Sequence, residues 1–129
     1  MKLSNLMAIK AVIVVVLGIG NVLMPTTISS LSGVTLNPDG AVAIQLLGAS
    51  FILIGILLWF ARNAPHSEVA LRAIVLAVFV GDAIGFIVGL LAKLSGIGKG
   101  NALGWVEIAV YLLFALGFGY FQFAKPTTS

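Results

Sequence analysis

The chain has 129 residues, 60% hydrophobic and 9% charged, with a net charge of +3 and no cysteine. Soluble domains carry about 25% charged residues, so this composition argues against a water-soluble body, and the missing cysteine excludes disulfides, thiolate metal sites and cysteine nucleophiles. The seven Lys and Arg are dispersed, which argues against a nucleic-acid partner.

A bilayer-spanning helix needs about 20 predominantly apolar residues, and the mean hydropathy of +1.19 reflects four such stretches. The first predicted span covers residues 7–24 and stops at Pro25. Lys10 interrupts its apolar run and no small-residue cleavage site precedes Pro25, so it reads as a retained span rather than a signal peptide. The second, 41–60, follows the turn signal Asn37-Pro38-Asp39-Gly40. The polar stretch 62–68 precedes the third, 69–92, and the glycine-rich stretch 95–101 precedes the fourth, 102–123. The expected fold is all-α: one integral membrane domain, 1–129, built as a four-transmembrane-helix bundle.

Lys2, Lys10, Arg62, Arg72 and Lys125 fall on one side of this arrangement, against Lys93 and Lys99 on the other. The positive-inside rule then places both termini in the cytoplasm, with Trp59 and Tyr120 at the inner interface and Trp105 at the outer one.

Each span carries one polar residue toward the outer half: Asn21, Gln45, Asp82 and Glu107. A charge near the bilayer centre costs roughly 2.5–3.5 kcal/mol on insertion scales. The four are therefore expected to face one another around an outward-facing polar pocket, as ligand-binding, ion-binding or partner-contact residues. Tyr111 stands one turn beyond Glu107, with Phe114 and Phe118 deeper on the same side. Simpler readings stand beside this one. Asp82 can be a satisfied core residue bonded to Asn21 or Gln45, and Glu107 can complement the dipole of a helix capped by Asn101. Asn21 and Gln45 can be interhelical glue, worth about 0.6 kcal/mol each.

Gly81, Gly85 and Gly89 form a small-residue stripe about 60° from Asp82 at 100° per residue, on which another helix can pack closely. Gly48 and Gly55 do the same for the second span. Lys93, eleven residues beyond Asp82, returns to the acid's face and is expected to snorkel outward. The halves also resemble each other: Gly20-Asn21 maps to Gly81-Asp82 at an offset of 61 (82 minus 21), and Gln45 to Glu107 at 62 (107 minus 45), as do Lys10 to Arg72 and Gly55 to Gly117. Such a duplication would relate the halves by an axis along the membrane normal.

Little else suggests chemistry. His66, the single histidine, reads as a solvated loop residue, so no metal or haem site is expected. The serines lack a nucleophile-elbow sequence. Gly96-Ile97-Gly98-Lys99-Gly100 lacks the Walker pattern.

The segments Leu46-Leu47-Gly48-Ala49-Ser50 and Leu58-Trp59-Phe60-Ala61-Arg62, with Gly81-Asp82-Ala83, Asn101-Ala102-Leu103-Gly104-Trp105 and Tyr111-Leu112-Leu113, resemble small four-span prokaryotic membrane proteins of the DoxX-like kind. The resemblance covers most of the chain. It implies a four-helix membrane fold in a prokaryotic inner membrane and brings no catalytic residues. The functional expectation is a non-enzymatic accessory or assembly subunit, or a protein binding a lipophilic ligand, without cofactor. Its partners would be the lipid bilayer and either further copies or a larger membrane complex. The alternative is a proton- or cation-coupled transporter or channel using Asp82; an enzyme acting on a lipid or quinone is a third, weaker reading.

Overall fold

The computed structural model describes residues 1–65, 67–97 and 101–124; His66, Lys99 and Lys125 lie outside them. Five α-helices follow one another: α1 (Leu3–Leu23), α2 (Pro25–Leu31), α3 (Pro38–Ala61), α4 (Val69–Leu94) and α5 (Ala102–Gly119), the last running on as a π-helical turn, Tyr120–Ala124. Among the described residues there are no strands. Among the described residues, four helices are long and apolar enough to cross a membrane: α1, α3, α4 and α5 with its π-helical extension.

The helix ends follow from local chemistry. Pro25 cannot continue α1, because it has no N–H to donate. It occupies the start of α2 instead, where a missing N–H costs nothing. Pro38 opens α3 in the same way, and the Asn37 side chain accepts from the Gly40 N–H at 2.7 Å. Asn101 caps α5 by accepting from the Gly104 N–H at 3.0 Å. The short helix α2 is absent from the sequence-based expectation, since seven residues give too little periodicity to read. Helix α1 also starts four residues before the expected Met7, because Leu3 and Leu6 are buried in the core. Four residues are about 6 Å of helix, and that shift moves Lys10 from the membrane edge well into the span.

Helix α1 packs along α3 and α4 along α5, which makes two hairpins of antiparallel spans. Glycines lie on both seams. A methyl group on Gly48 would lie 2.6 Å from the Gly18 carbonyl oxygen and 2.8 Å from Cβ of Asn21, and one on Gly55 would lie 2.9 Å from the Ala11 carbonyl oxygen. In the other hairpin, a methyl on Gly85 would lie 2.6 Å from the Tyr111 ring and one on Gly89 3.0 Å from Ile108. Gly81 departs from the expected stripe: nothing lies within 4 Å of its would-be Cβ. Its helical position turns it away from α5, so it is no packing residue.

The apolar core lies toward the termini and joins the hairpins. Leu3, Leu6, Met7 and Ala11 of α1 meet Leu58 of α3, Leu71 and Val75 of α4, and Phe114 and Phe118 of α5. Outside it the surface is apolar on every span, with Val16, Leu46, Val88 and Leu113 each at least 60% exposed. An apolar exterior of this extent suits lipid and not water.

Candidate functional site

The buried face of α1 runs Leu3, Leu6, Met7, Lys10, Ala11, Val14, Gly18, Asn21. These positions recur every three or four residues, as one face of an α-helix requires, and the cation stands among them. Lys10 is 7% exposed and Asp82 3%. The Lys10 ammonium donates to Oδ1 of Asp82 at 2.6 Å, and it also lies 4.6 Å from the centre of the Phe114 ring, where the aromatic face attracts a cation. One pair thus ties α1 to α4 and leans on α5. Oδ2 of Asp82 is buried and accepts no hydrogen bond from a described residue.

This arrangement corrects two sequence-based expectations. Lys10 does not count toward the charge bias at the membrane edge; it is the partner that offsets the intramembrane carboxylate. Asp82 accordingly bonds neither Asn21 nor Gln45. An acid buried without compensation demands a base at similar depth, and Lys10 is the basic residue lying well inside the apolar run of α1. That signal was available in the sequence, but a span start set at Met7 concealed it.

Among the described residues, the four polar residues meet different neighbours. Gln45 donates through Nε2 to the Val22 carbonyl oxygen at 3.0 Å. Val22 sits in the last turn of α1, where carbonyls lack intrahelical partners, so Gln45 acts as a C-cap supplied from α3. Asn21 is buried against Gly48 on the α1–α3 seam. Glu107 accepts a hydrogen bond from the Ser32 hydroxyl, which ties the segment after α2 to α5. Tyr111 lies against Gly85, within electrostatic range of both Asp82 and Glu107.

Glu107 and Tyr111 do share a cavity with other residues. At the end of the bundle away from the termini, a space of about 130 Å³ is lined by Ser32 and Val34, by Gly89, Ala92, Lys93 and Ile97 of α4 and its end, and by Gly104, Glu107, Ile108 and Tyr111 of α5. Lys93 lies across the first turn of α5, against Gly104, and donates to the Asn101 carbonyl oxygen at 3.3 Å. Its stem runs toward the start of α5 and not toward Asp82. The described lining of the cavity is mostly apolar and includes Lys93, Glu107, Ser32 and Tyr111. Asp82, Gln45 and Asn21 are not part of it. Comparison with protein-family models, with curated proteins and with solved structures finds no match for this chain.

Proposed function

We propose that this small integral membrane protein is non-enzymatic and binds an amphiphilic molecule at the end of its bundle away from the termini. Supporting this is the cavity itself: apolar walls from Gly89, Ala92 and Ile108, with Lys93, Glu107 and Ser32 among its polar lining. Ligand sites are generally concave and mainly apolar, with a few convergent polar groups that fix orientation. In the proposed orientation the termini face the cytoplasm of a prokaryotic cell and the cavity faces outward. With Lys10 removed from the count, Lys2, Arg62, Arg72 and Lys125 still outnumber Lys93 and Lys99, as the positive-inside rule asks. An accessory role, in which the bound amphiphile is presented to a further copy or a larger membrane complex, fits the same site.

Ala92→Leu tests this directly by filling the cavity from the α4 wall. Native mass spectrometry of wild-type protein extracted in mild detergent should show a retained amphiphile. The variant should lose at least about tenfold of it, the effect of 1.4 kcal/mol, with helicity unchanged by circular dichroism. Wild-type protein that always flies bare would sink the proposal.

A proton- or cation-coupled transporter is the second reading, favoured by one observation: the buried Oδ2 of Asp82 accepts no hydrogen bond from a described residue. Against it, Lys10 already neutralises the carboxylate, so an incoming cation would have to displace a fixed ammonium. In liposomes, transport predicts dissipation of a proton or cation gradient that Asp82→Asn abolishes. Flux no greater than that of empty liposomes would eliminate the reading.

A further inference from the structure

We propose that Tyr111 is the recognition residue of the cavity and holds an uncharged amphiphile by its carbonyl oxygen, in preference to a phospholipid; this rests on the amphiphile-binding reading. Other polar side chains of the described lining are engaged within the chain: the Ser32 hydroxyl donates to Glu107, and the Lys93 ammonium donates to the Asn101 carbonyl oxygen. Tyr111 lines the same space, and its hydroxyl has no hydrogen-bond partner among the described residues. A tyrosine hydroxyl taken out of water usually finds a partner, because leaving it unbonded in apolar surroundings is costly. The neighbouring wall of Gly89, Ala92 and Ile108 offers it no side-chain partner.

The depth of the ring decides which ligand can reach it. The ring lies against Gly85, where a methyl group would stand 2.6 Å from it. Gly85 is nine residues before the end of α4 at Leu94 (94 minus 85), and Tyr111 is nine residues past the start of α5 at Ala102 (111 minus 102). Both counts put the ring about 14 Å inside the helix ends at 1.5 Å per residue, close to the middle of a hydrocarbon layer roughly 30 Å thick. Phospholipid esters lie at the hydrocarbon boundary beside a charged phosphate, and drawing one to this depth would bring the charge with it. Volume points the same way. A dry cavity of roughly 150 Å³ holds one benzene ring, so a space of about 130 Å³ admits the carbonyl end of one chain and not two chains side by side.

Counting hydrogens selects a carbonyl over an alcohol. A phenol has one hydrogen to donate and a carbonyl has none, so their bond leaves no donor unsatisfied. An alcohol would bring a second hydrogen that needs its own acceptor, and orphaned donors are the rarer fault in buried structure.

The test uses the full chain in dodecyl maltoside micelles, a detergent without carbonyl groups, doped with equal amounts of methyl decanoate, tridecane, dodecanol and phosphatidylglycerol. Native mass spectrometry should show methyl decanoate adducts exceeding each of the others by about fivefold, the effect of one hydrogen bond. With the ester carbonyl labelled by carbon-13, its infrared stretch should move to lower frequency on binding, as a hydrogen-bonded carbonyl does. Tyr111→Phe keeps the ring on Gly85 and removes the hydroxyl alone, so it should return the band to its position in empty micelles and abolish the preference. The comparison among the four compounds needs no variant, so a misfolded Tyr111→Phe protein leaves it intact. Equal retention of the four, a preference for dodecanol or phosphatidylglycerol, or a band that stays shifted in folded Tyr111→Phe would overturn the carbonyl assignment and leave the amphiphile reading standing. Absence of any retained compound would overturn both.

Discussion

Lys10→Met should destabilise the bundle by about 3–5 kcal/mol, the usual cost of removing one partner from a buried ion pair. Methionine nearly preserves the volume of the lysine stem and can still lie on the Phe114 ring. The loss would therefore come from electrostatics: Asp82 would remain buried, with both oxygens unpartnered among the described residues. Asp82→Leu should cost a similar amount, because it leaves the ammonium buried with only the Phe114 face for compensation. The double variant Lys10→Met/Asp82→Leu should return to within about 1 kcal/mol of wild type, since replacing a whole buried pair by apolar groups is often neutral or better. Reversible unfolding in mixed micelles, with all four proteins compared, measures the coupling. If the single costs simply add in the double variant, the pair does not hold the two hairpins together.

The same experiment bears on why the pair is present. An isolated charge at this depth costs roughly 2.5–3.5 kcal/mol on insertion scales, so two hairpins carrying one unpaired charge each are both disfavoured until they meet. The apolar core toward the termini supplies contact between the hairpins without fixing their register. The Lys10–Asp82 bond fixes it at one depth and the Ser32–Glu107 bond at another. A register role of this kind is the best-attested use of buried polar groups in helical assemblies.

Much of this architecture was legible because apolar length and helix punctuation are local properties. Four spans, the break at Asn37-Pro38-Asp39-Gly40 and the Asn101 cap all follow from residues near one another in the chain. The polar site was less legible, because its geometry depends on how far each helix is shifted along the bundle. Counting depth from Met7 placed Lys10 at an interface, and a helix beginning at Leu3 buries it. The described contacts of the four expected pocket residues diverge for a related reason: equal depth does not imply a shared face. Gln45 turns to a carbonyl of α1, Asn21 to the α1–α3 seam, and Glu107 to Ser32. Even the matched positions of the two halves diverge, with Lys10 buried and Arg72 exposed.

Gly48→Ala should cost about 1–3 kcal/mol, while Gly81→Ala should be neutral or stabilise by up to about 1 kcal/mol. Both glycines are in mid-helix and both changes add one methyl group, so intrinsic helix propensity favours alanine equally at each. What differs is the neighbour. At Gly48 the new methyl meets the Gly18 carbonyl oxygen at 2.6 Å and Asn21 at 2.8 Å; backbone there cannot step aside as a flexible side-chain tip can, so α1 and α3 must separate. Separation loses dispersion contacts along the seam and pulls Gln45 away from the Val22 carbonyl, which would again be unpaired in apolar surroundings. At Gly81 nothing stands within 4 Å, and the methyl enters lipid. The unfolding assay used for the ion pair distinguishes the two variants, and Gly48→Leu should exceed Gly48→Ala in cost because the larger side chain has no path out of the seam. A Gly48→Ala protein as stable as Gly81→Ala would mean that α1 and α3 are not held at the separation their glycines allow.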